Sequence, residues 1–234
     1  MKRVGHKGAD HIVPGNTRES FDAALAAEVD MIEFDILPVR EGADELVLAH
    51  DYRDAAKRTP LNLEEGLEHL ARPEFDGVEL DVDLKLPGYE ERVVAALVEH
   101  GLLERSLICS QYRQTLTAVR AAEPSVRVGW SVPRARRDYT ANMVTAAPAL
   151  GLLVAGRTAL PNLAAHAIAS GKIDAIMSHW RLVTPRLVRA VSAAGGELYV
   201  WTVDDLATIR RLAALGVNGI ISNDPRLFGR LQPA

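Results

Sequence analysis

Eight short apolar runs, each followed by helical periodicity, set the strongest limit on what this chain can fold into. They fall at residues 2–6, 30–36, 77–84, 106–110, 126–132, 173–178, 197–202 and 217–222, each with the length and composition of a buried strand. Helical patterns follow at Thr17–Ala27, Leu63–Ala71, Glu90–Gly101, Gln111–Ala122, Arg137–Ala147 with Leu160–Ser170, Pro185–Ala194 and Asp204–Leu215, and a short one closes the chain at Pro225–Leu231. Gly101, Gly171, Gly195 and Gly216 stand where helices would end, and Asp204 stands where one would begin. Eight such units predict an α/β chain closed into a (β/α)8 TIM barrel, a single domain over residues 1–234. Leu46–His50 reads as an extra short strand after the second, and 51–76 as a polar segment that becomes helical.

Composition narrows the class. Hydrophobic residues make up 48% of the 234, enough for a large core and too many for disorder. The net charge of −4, with no basic stretch forming a face, argues against nucleic acid as a partner. The single cysteine, Cys109, excludes an intrachain disulfide; in the run Leu107-Ile108-Cys109 it reads as a buried thiol in a reducing, cytoplasmic compartment. Met1-Lys2-Arg3-Val4 enters a strand directly, so no secretion signal is expected. The longest uncharged stretch, Tyr139 to Gly156, is interrupted by Pro148 and falls short of the roughly 20 apolar residues of a membrane anchor.

In such barrels, active sites lie at the C-terminal ends of the strands. Strand alternation puts Met31, Glu33 and Asp35 on one face and Ile32, Phe34 and Ile36 on the other. The acids then point into the barrel, where buried carboxylates need protons, basic partners or a cation; hard oxygen ligands favour Ca²⁺ or Mg²⁺. The third strand likewise presents Glu79, Asp81, Asp83 and Lys85 on one face. Glu79 is expected in a salt bridge at the barrel floor. An acid at the top of this strand is expected to complete a three-carboxylate site with Glu33 and Asp35, and Lys85 to offset phosphate charge. His6 and His50 end strands beside these acids, which suits general acid–base chemistry on a phosphate ester. Trp201 ends the seventh strand as a candidate pocket wall and His179 ends the sixth, while His11, His69, His100 and His166 are expected at the surface.

The ordered motifs Gly5-His6-Lys7-Gly8, Pro14-Gly15-Asn16-Thr17, Glu33-Phe34-Asp35, His50-Asp51, Val82-Asp83-Leu84-Lys85, Val200-Trp201-Thr202-Val203 and Gly216-Val217-Asn218-Gly219-Ile220-Ile221-Ser222-Asn223-Asp224-Pro225 span almost the whole chain. Together they resemble the glycerophosphodiester phosphodiesterase family, TIM barrels that hydrolyse glycerophosphodiesters to glycerol 3-phosphate and an alcohol using Ca²⁺ or Mg²⁺. The resemblance implies a small-molecule phosphodiester substrate, His6 and His50 as the general acid/base pair, and Glu33, Asp35 and Asp83 as metal ligands. It also implies Lys7 and Lys85 at the phosphate and Trp201 at the pocket wall. Four departures stand out: Lys7 for arginine, Gly15 for glutamate, Asp83 for glutamate, and Ser222-Asn223 for Thr-Asp. The insertion after the second strand is also shortened, which implies a more open pocket. An open pocket admits a lysophospholipase D or sphingomyelinase D-like activity as an alternative, and the substitutions admit a catalytically weak barrel that binds a phosphorylated ligand.

Overall fold

The computed structural model describes residues 1–133 and 143–231. The apolar runs form β1 (Lys2–Gly5), β2 (Met31–Pro38), the short β3 (Leu46–Leu48), β4 (Glu79–Leu84), β5 (Ser106–Ser110), β6 (Arg127–Val132), β7 (Ala175–His179), β8 (Glu197–Trp201) and β9 (Gly219–Ser222). Eight of them are parallel in the order β1-β9-β8-β7-β6-β5-β4-β2, and β1 pairs with β2 as well as β9, which closes the barrel. β3 runs antiparallel to the end of β2. Among the described residues no helix is long and apolar enough to cross a membrane.

The helices between the strands are α1 (Arg18–Ala26), α2 (Tyr52–Ala55), α3 (Leu63–Leu70), α4 (Glu90–Glu99), α5 (Arg113–Ala122), α6 (Met143–Ala169), α7 (Pro185–Ala193) and α8 (Leu206–Leu215). Local chemistry fixes most of their ends. Thr17 and Asn62 open α1 and α3 with reciprocal capping bonds to Ser20 and Glu65. Thr184 caps α7 ahead of Pro185, whose missing N–H is no loss in a first turn. Gly216 ends α8 at φ 85°.

Two expectations change here. Asp205, rather than Asp204, caps α8 by accepting the Thr208 N–H; Asp204 is turned towards the end of β9. The helix expected at Arg137–Ala147 begins among residues outside the described ones. From Met143 onward one 27-residue helix runs through the position of the expected break to Ala169. Ala and Leu, strong helix formers, dominate the sequence between Pro148 and Pro161 and carry it across Gly151 and Gly156.

The core has two layers. Inside the barrel, Val4, Met31, Leu107, Cys109, Ala175, Met177, Tyr199 and Ile221 pack together. The opposite strand faces, including Phe34, Val82, Ile108 and Val128, pack under the helices. His69, expected at the surface, is buried between Phe21 and Phe75 with Nε2 2.9 Å from Asp22. Helical periodicity puts it on the inward face of α3.

The barrel floor is a charge network at the strand starts. Lys2 pairs with Glu79 at 2.7 Å, and Arg127 bridges Glu79 and Glu197. The floor thus satisfies its own charges and leaves the strand tops for chemistry. Tyr199 fills the interior just above it, and its neighbour in register on β9 is Gly219. A Cβ at position 219 would overlap the Tyr199 ring. Gly219→Ala is therefore expected to destabilise the fold by about 1–3 kcal/mol, the range for overpacked cores. The check is a lower urea midpoint with an unchanged slope.

Candidate active site

β2 and β4 lie side by side with Glu33 opposite Asp81 and Asp35 opposite Asp83. Alternation turns all four acids inward, and all four are buried, Asp35 completely. One oxygen from each of Glu33, Asp35 and Asp83 lies within 4.8 Å of the others. Lys85, one inward position beyond Asp83, contacts the carboxylates of both Asp35 and Asp83.

The shared burial separates their protonation. Burial, followed by the charge of Asp35 and the other acids, pushes Glu33 well above the usual carboxylate range, although Lys85 pulls the other way. Burial likewise lifts Asp81 to about 7. For Asp35 burial is outweighed by Lys85, His50, His6 and Lys7, which hold it well below that range. Burial would lower Lys85, but Asp35, Asp83 and Glu33 keep its ammonium well above its ordinary value.

The cluster fits a cation. Asp81 Oδ1 and Asp83 Oδ1 are buried without a hydrogen-bond partner among the described residues. Three hard carboxylates converge with one ammonium against four acids, and a divalent cation would supply the missing positive charge. The triad Glu33, Asp35 and Asp83 can hold a metal ion.

The loop after β1 is shaped around these acids. Lys7 and Gly8 both adopt positive φ, 50° and 82°. This turn lets the Lys7 N–H donate to Glu33 Oε2 at 2.7 Å and the Gly8 N–H to the Glu33 carbonyl at 3.1 Å. A left-handed lysine costs on the order of 1–2 kcal/mol, which those bonds offset. Asn16, also at positive φ, donates to Asp35 Oδ2 at 2.9 Å and accepts the Asp35 N–H at 3.1 Å. Arg58 holds the loop from outside by donating to the Gly15 carbonyl.

His6 is oriented from the far end of the chain. Asp204 accepts the Asn223 side-chain N–H at 2.7 Å and its backbone N–H at 2.8 Å. With its amide nitrogen so engaged, Asn223 turns Oδ1 to His6 Nδ1 at 2.6 Å. An acceptor there puts the imidazole hydrogen on Nδ1 and leaves Nε2 bare, 3.8 Å from Glu33 Oε2. Burial above all lowers the His6 pKa to about 4, so the ring is neutral near pH 7. His50, which follows β3, is half-exposed, with Nδ1 3.6 Å from Asp51 Oδ2. Asp51 Oδ1 caps α2 through the N–H groups of Arg53 and Asp54.

A cavity of about 140 Å³ brings His6, Glu33, His50, Asp83, Lys85 and Trp201 together at the top of the barrel. Asp35 lies fully buried among them, ion-paired to Lys85. Lys7 does not line the cavity; its ammonium sits on Asp10 at 3.1 Å, and Asp10 also accepts the Gly15 N–H. Trp201 is fixed by donating Nε1–H to the Met177 carbonyl at 2.9 Å, with His179 packed edge-on against its ring outside the lining. Asp81, Gln111 and Ser131 also line the cavity. The alternation that placed Asp83 also places Asp81 inward, and from Cys109 it reaches Gln111. Nothing local in the sequence marks Asn223 and Asp204 as partners of His6.

A model of the glycerophosphoryl diester phosphodiesterase family matches residues 88–227. A glycerophosphodiester phosphodiesterase of Caldanaerobacter subterraneus is 24% identical over an alignment covering 95% of this chain and 93% of its own. One from Bacillus subtilis is 23% identical, covering 98% of this chain and 85% of its own. Among solved structures, a glycerophosphoryl diester phosphodiesterase so designated from Silicibacter pomeroyi superposes with a TM-score of 0.75 at 21% identity, covering 97% of this chain and 91% of that one. A phosphodiesterase from Oleispira antarctica, solved with sn-glycerol-3-phosphate, superposes with a TM-score of 0.69 at 18% identity, covering 98% and 96%.

The Asp204–Asn223–His6 chain predicts a single tautomer. Long-range ¹H–¹⁵N correlation is expected to find His6 neutral at pH 6 with its hydrogen on Nδ1. Asn223→Ala is expected to mix the two tautomers and to lower kcat about tenfold or more with little change in KM.

Proposed function

The chain belongs to the glycerophosphoryl diester phosphodiesterase family, and we propose that its 234 residues act as one domain that releases glycerol 3-phosphate and an alcohol from glycerophosphodiesters. One observation carries this reading: two histidines, a lysine and a buried carboxylate triad converge on one cavity at the strand tops. Glu33, Asp35 and Asp83 hold a divalent cation, Ca²⁺ or Mg²⁺, in this reading. Bound there, it supplies positive charge beside the phosphoryl oxygens. The cytoplasm, a reducing compartment, suits the buried free thiol of Cys109.

The residues divide the remaining work. Lys85, anchored by Asp35 and Asp83, offsets charge growing on the phosphoryl oxygens. His6, neutral and with Nε2 bare, takes the proton of the attacking hydroxyl: water gives glycerol 3-phosphate directly, whereas the glycerol moiety's own hydroxyl gives a cyclic phosphate that a water must then open to the same product. His50, open to solvent beside Asp51, gives a proton to the departing alcohol. Trp201 walls the glycerol side.

Purified protein stripped with EDTA is expected to lose turnover of glycerophosphocholine and to regain it with Ca²⁺ or Mg²⁺. His50→Ala is expected to lower kcat about 10²–10⁴-fold, as for loss of a general acid, without changing cation affinity measured by calorimetry. No release of glycerol 3-phosphate with any cation would sink the reading. Faster turnover of lysophosphatidylcholine than of glycerophosphocholine would replace it with a lysophospholipase D activity.

A further inference from the structure

Arg58 does not line the strand-top cavity, yet it touches both segments that supply the histidine and acid sides of the site. It lies three residues beyond α2, partly buried against the loop after β1. Its Nη2 donates to the Gly15 carbonyl at 2.8 Å and its Nη1 to the Asn16 carbonyl at 3.4 Å. These carbonyls belong to the peptide groups on either side of Asn16. The guanidinium therefore brackets a fully buried residue held at φ 57°, a left-handed state that an unsupported side chain disfavours. The Asn16 side chain in turn binds Asp35 in both directions.

The same guanidinium also faces α2. Nη2 lies 3.7 Å from Asp54 Oδ2, and that oxygen accepts the His50 N–H at 3.2 Å. Asp54 is itself fixed, because its own N–H donates to Asp51 Oδ1 in the first turn of α2. A continuous chain of contacts thus runs from the His50 backbone through Asp54 and Arg58 to Asn16 and Asp35. It ties the segment after β3 to the loop after β1.

We infer that Arg58 is a positioning residue that couples the cation site at Asp35 to the placement of His50. The inference rests on the phosphodiesterase reading and deepens it. A guanidinium suits the task, since its planar fork reaches two successive carbonyls while its charge pairs with a carboxylate; an ammonium is a point charge without that fork. Holding Asn16 from outside keeps the Asp35 carboxylate in one orientation, so a cation meets a ligand already in place. Holding Asp54 keeps the His50 backbone at one distance from that cation, and with it the imidazole from the phosphate. Binding of the cation and the setting of His50 then support each other through one side chain that touches neither.

The test uses the full chain. It measures Ca²⁺ and Mg²⁺ affinity by calorimetry, and kcat and KM for glycerophosphocholine at saturating cation. Arg58→Ala is expected to weaken cation binding about three- to tenfold and to lower kcat about tenfold with little change in KM, the scale of a lost support behind a metal ligand. Arg58→Lys keeps a positive charge under the loop with fewer bonds, so it is expected to fall between the two and secures a folded comparison. Asp54→Ala changes a residue that meets His50, Asp51 and Arg58. It is expected to weaken cation binding about two- to threefold in the unmodified chain and to add nothing in the Arg58→Ala background, a coupling that loosened local packing does not produce. Cation affinity unmoved by both Arg58 variants, or an Asp54→Ala effect that is the same with and without Arg58, overturns the inference and leaves the phosphodiesterase reading standing. Absence of cation binding by the unmodified chain overturns both.

Discussion

Four carboxyl groups on two neighbouring strands face one ammonium inside a closed barrel, and the rest of the upper half is arranged around that imbalance. The contrast along β4 shows what burial does. Glu79, at the floor, is also disfavoured by burial, but Lys2 and Arg127 bond to it and hold it below its ordinary range. Asp81, one layer up on the same face, has no basic partner in contact among the described residues, and burial lifts it to about 7. Asp83, above it, has Lys85. Carboxyl groups on one face of one strand therefore sit in a closed salt-bridge network at one end and in an acidic cluster that could hold a metal ion at the other.

The elements around the acids serve to hold them in place. Asn16 binds Asp35 in both directions, and the left-handed Lys7 turns its own N–H onto Glu33. On the other side of the barrel, Asp204 and Asp205 are adjacent and have separate tasks: Asp205 starts α8, and Asp204 fixes Asn223. The orientation of His6 thus depends on the loop after β8 and the end of β9. Closing the barrel through the β1–β9 pairing is what lets those loops reach His6.

The fold was legible because its main signal is periodic. Strict alternation in 77–84 gives the inward face of β4, and the helical patterns expected from Thr17 and Leu63 begin within a residue of α1 and α3. The failures arise where two local signals compete or where burial is tertiary. Asp204 and Asp205 are both acceptable caps, and only the position of Asn223 decides between them. His69 is polar in sequence, yet Phe21 and Phe75 enclose it. In the site, strand-end position and alternation sufficed to gather His6, Glu33, His50, Asp83 and Lys85 on one cavity. Asn223 lies 217 residues from His6, and its role depends on an amide orientation that no local pattern encodes.

Positions 7 and 15 are physically coupled through Asp10. A Cβ at Gly15 would run into Lys7 Cβ and the Asp10 carboxylate, so glutamate has no room there while Asp10 occupies the space. Asp10 supplies the acid instead, bonding to both the Gly15 N–H and the Lys7 ammonium. The cation at position 7 is thereby tied down. Burial would lower the Lys7 pKa, yet Asp35 and Asp10 raise it above its ordinary value, so it stays charged and paired. Lys85, by contrast, lines the cavity at the strand tops while it contacts Asp35 and Asp83. Both of these strand-top ammonium groups are therefore tied to carboxylates, Lys7 to Asp10 and Lys85 to Asp35 and Asp83.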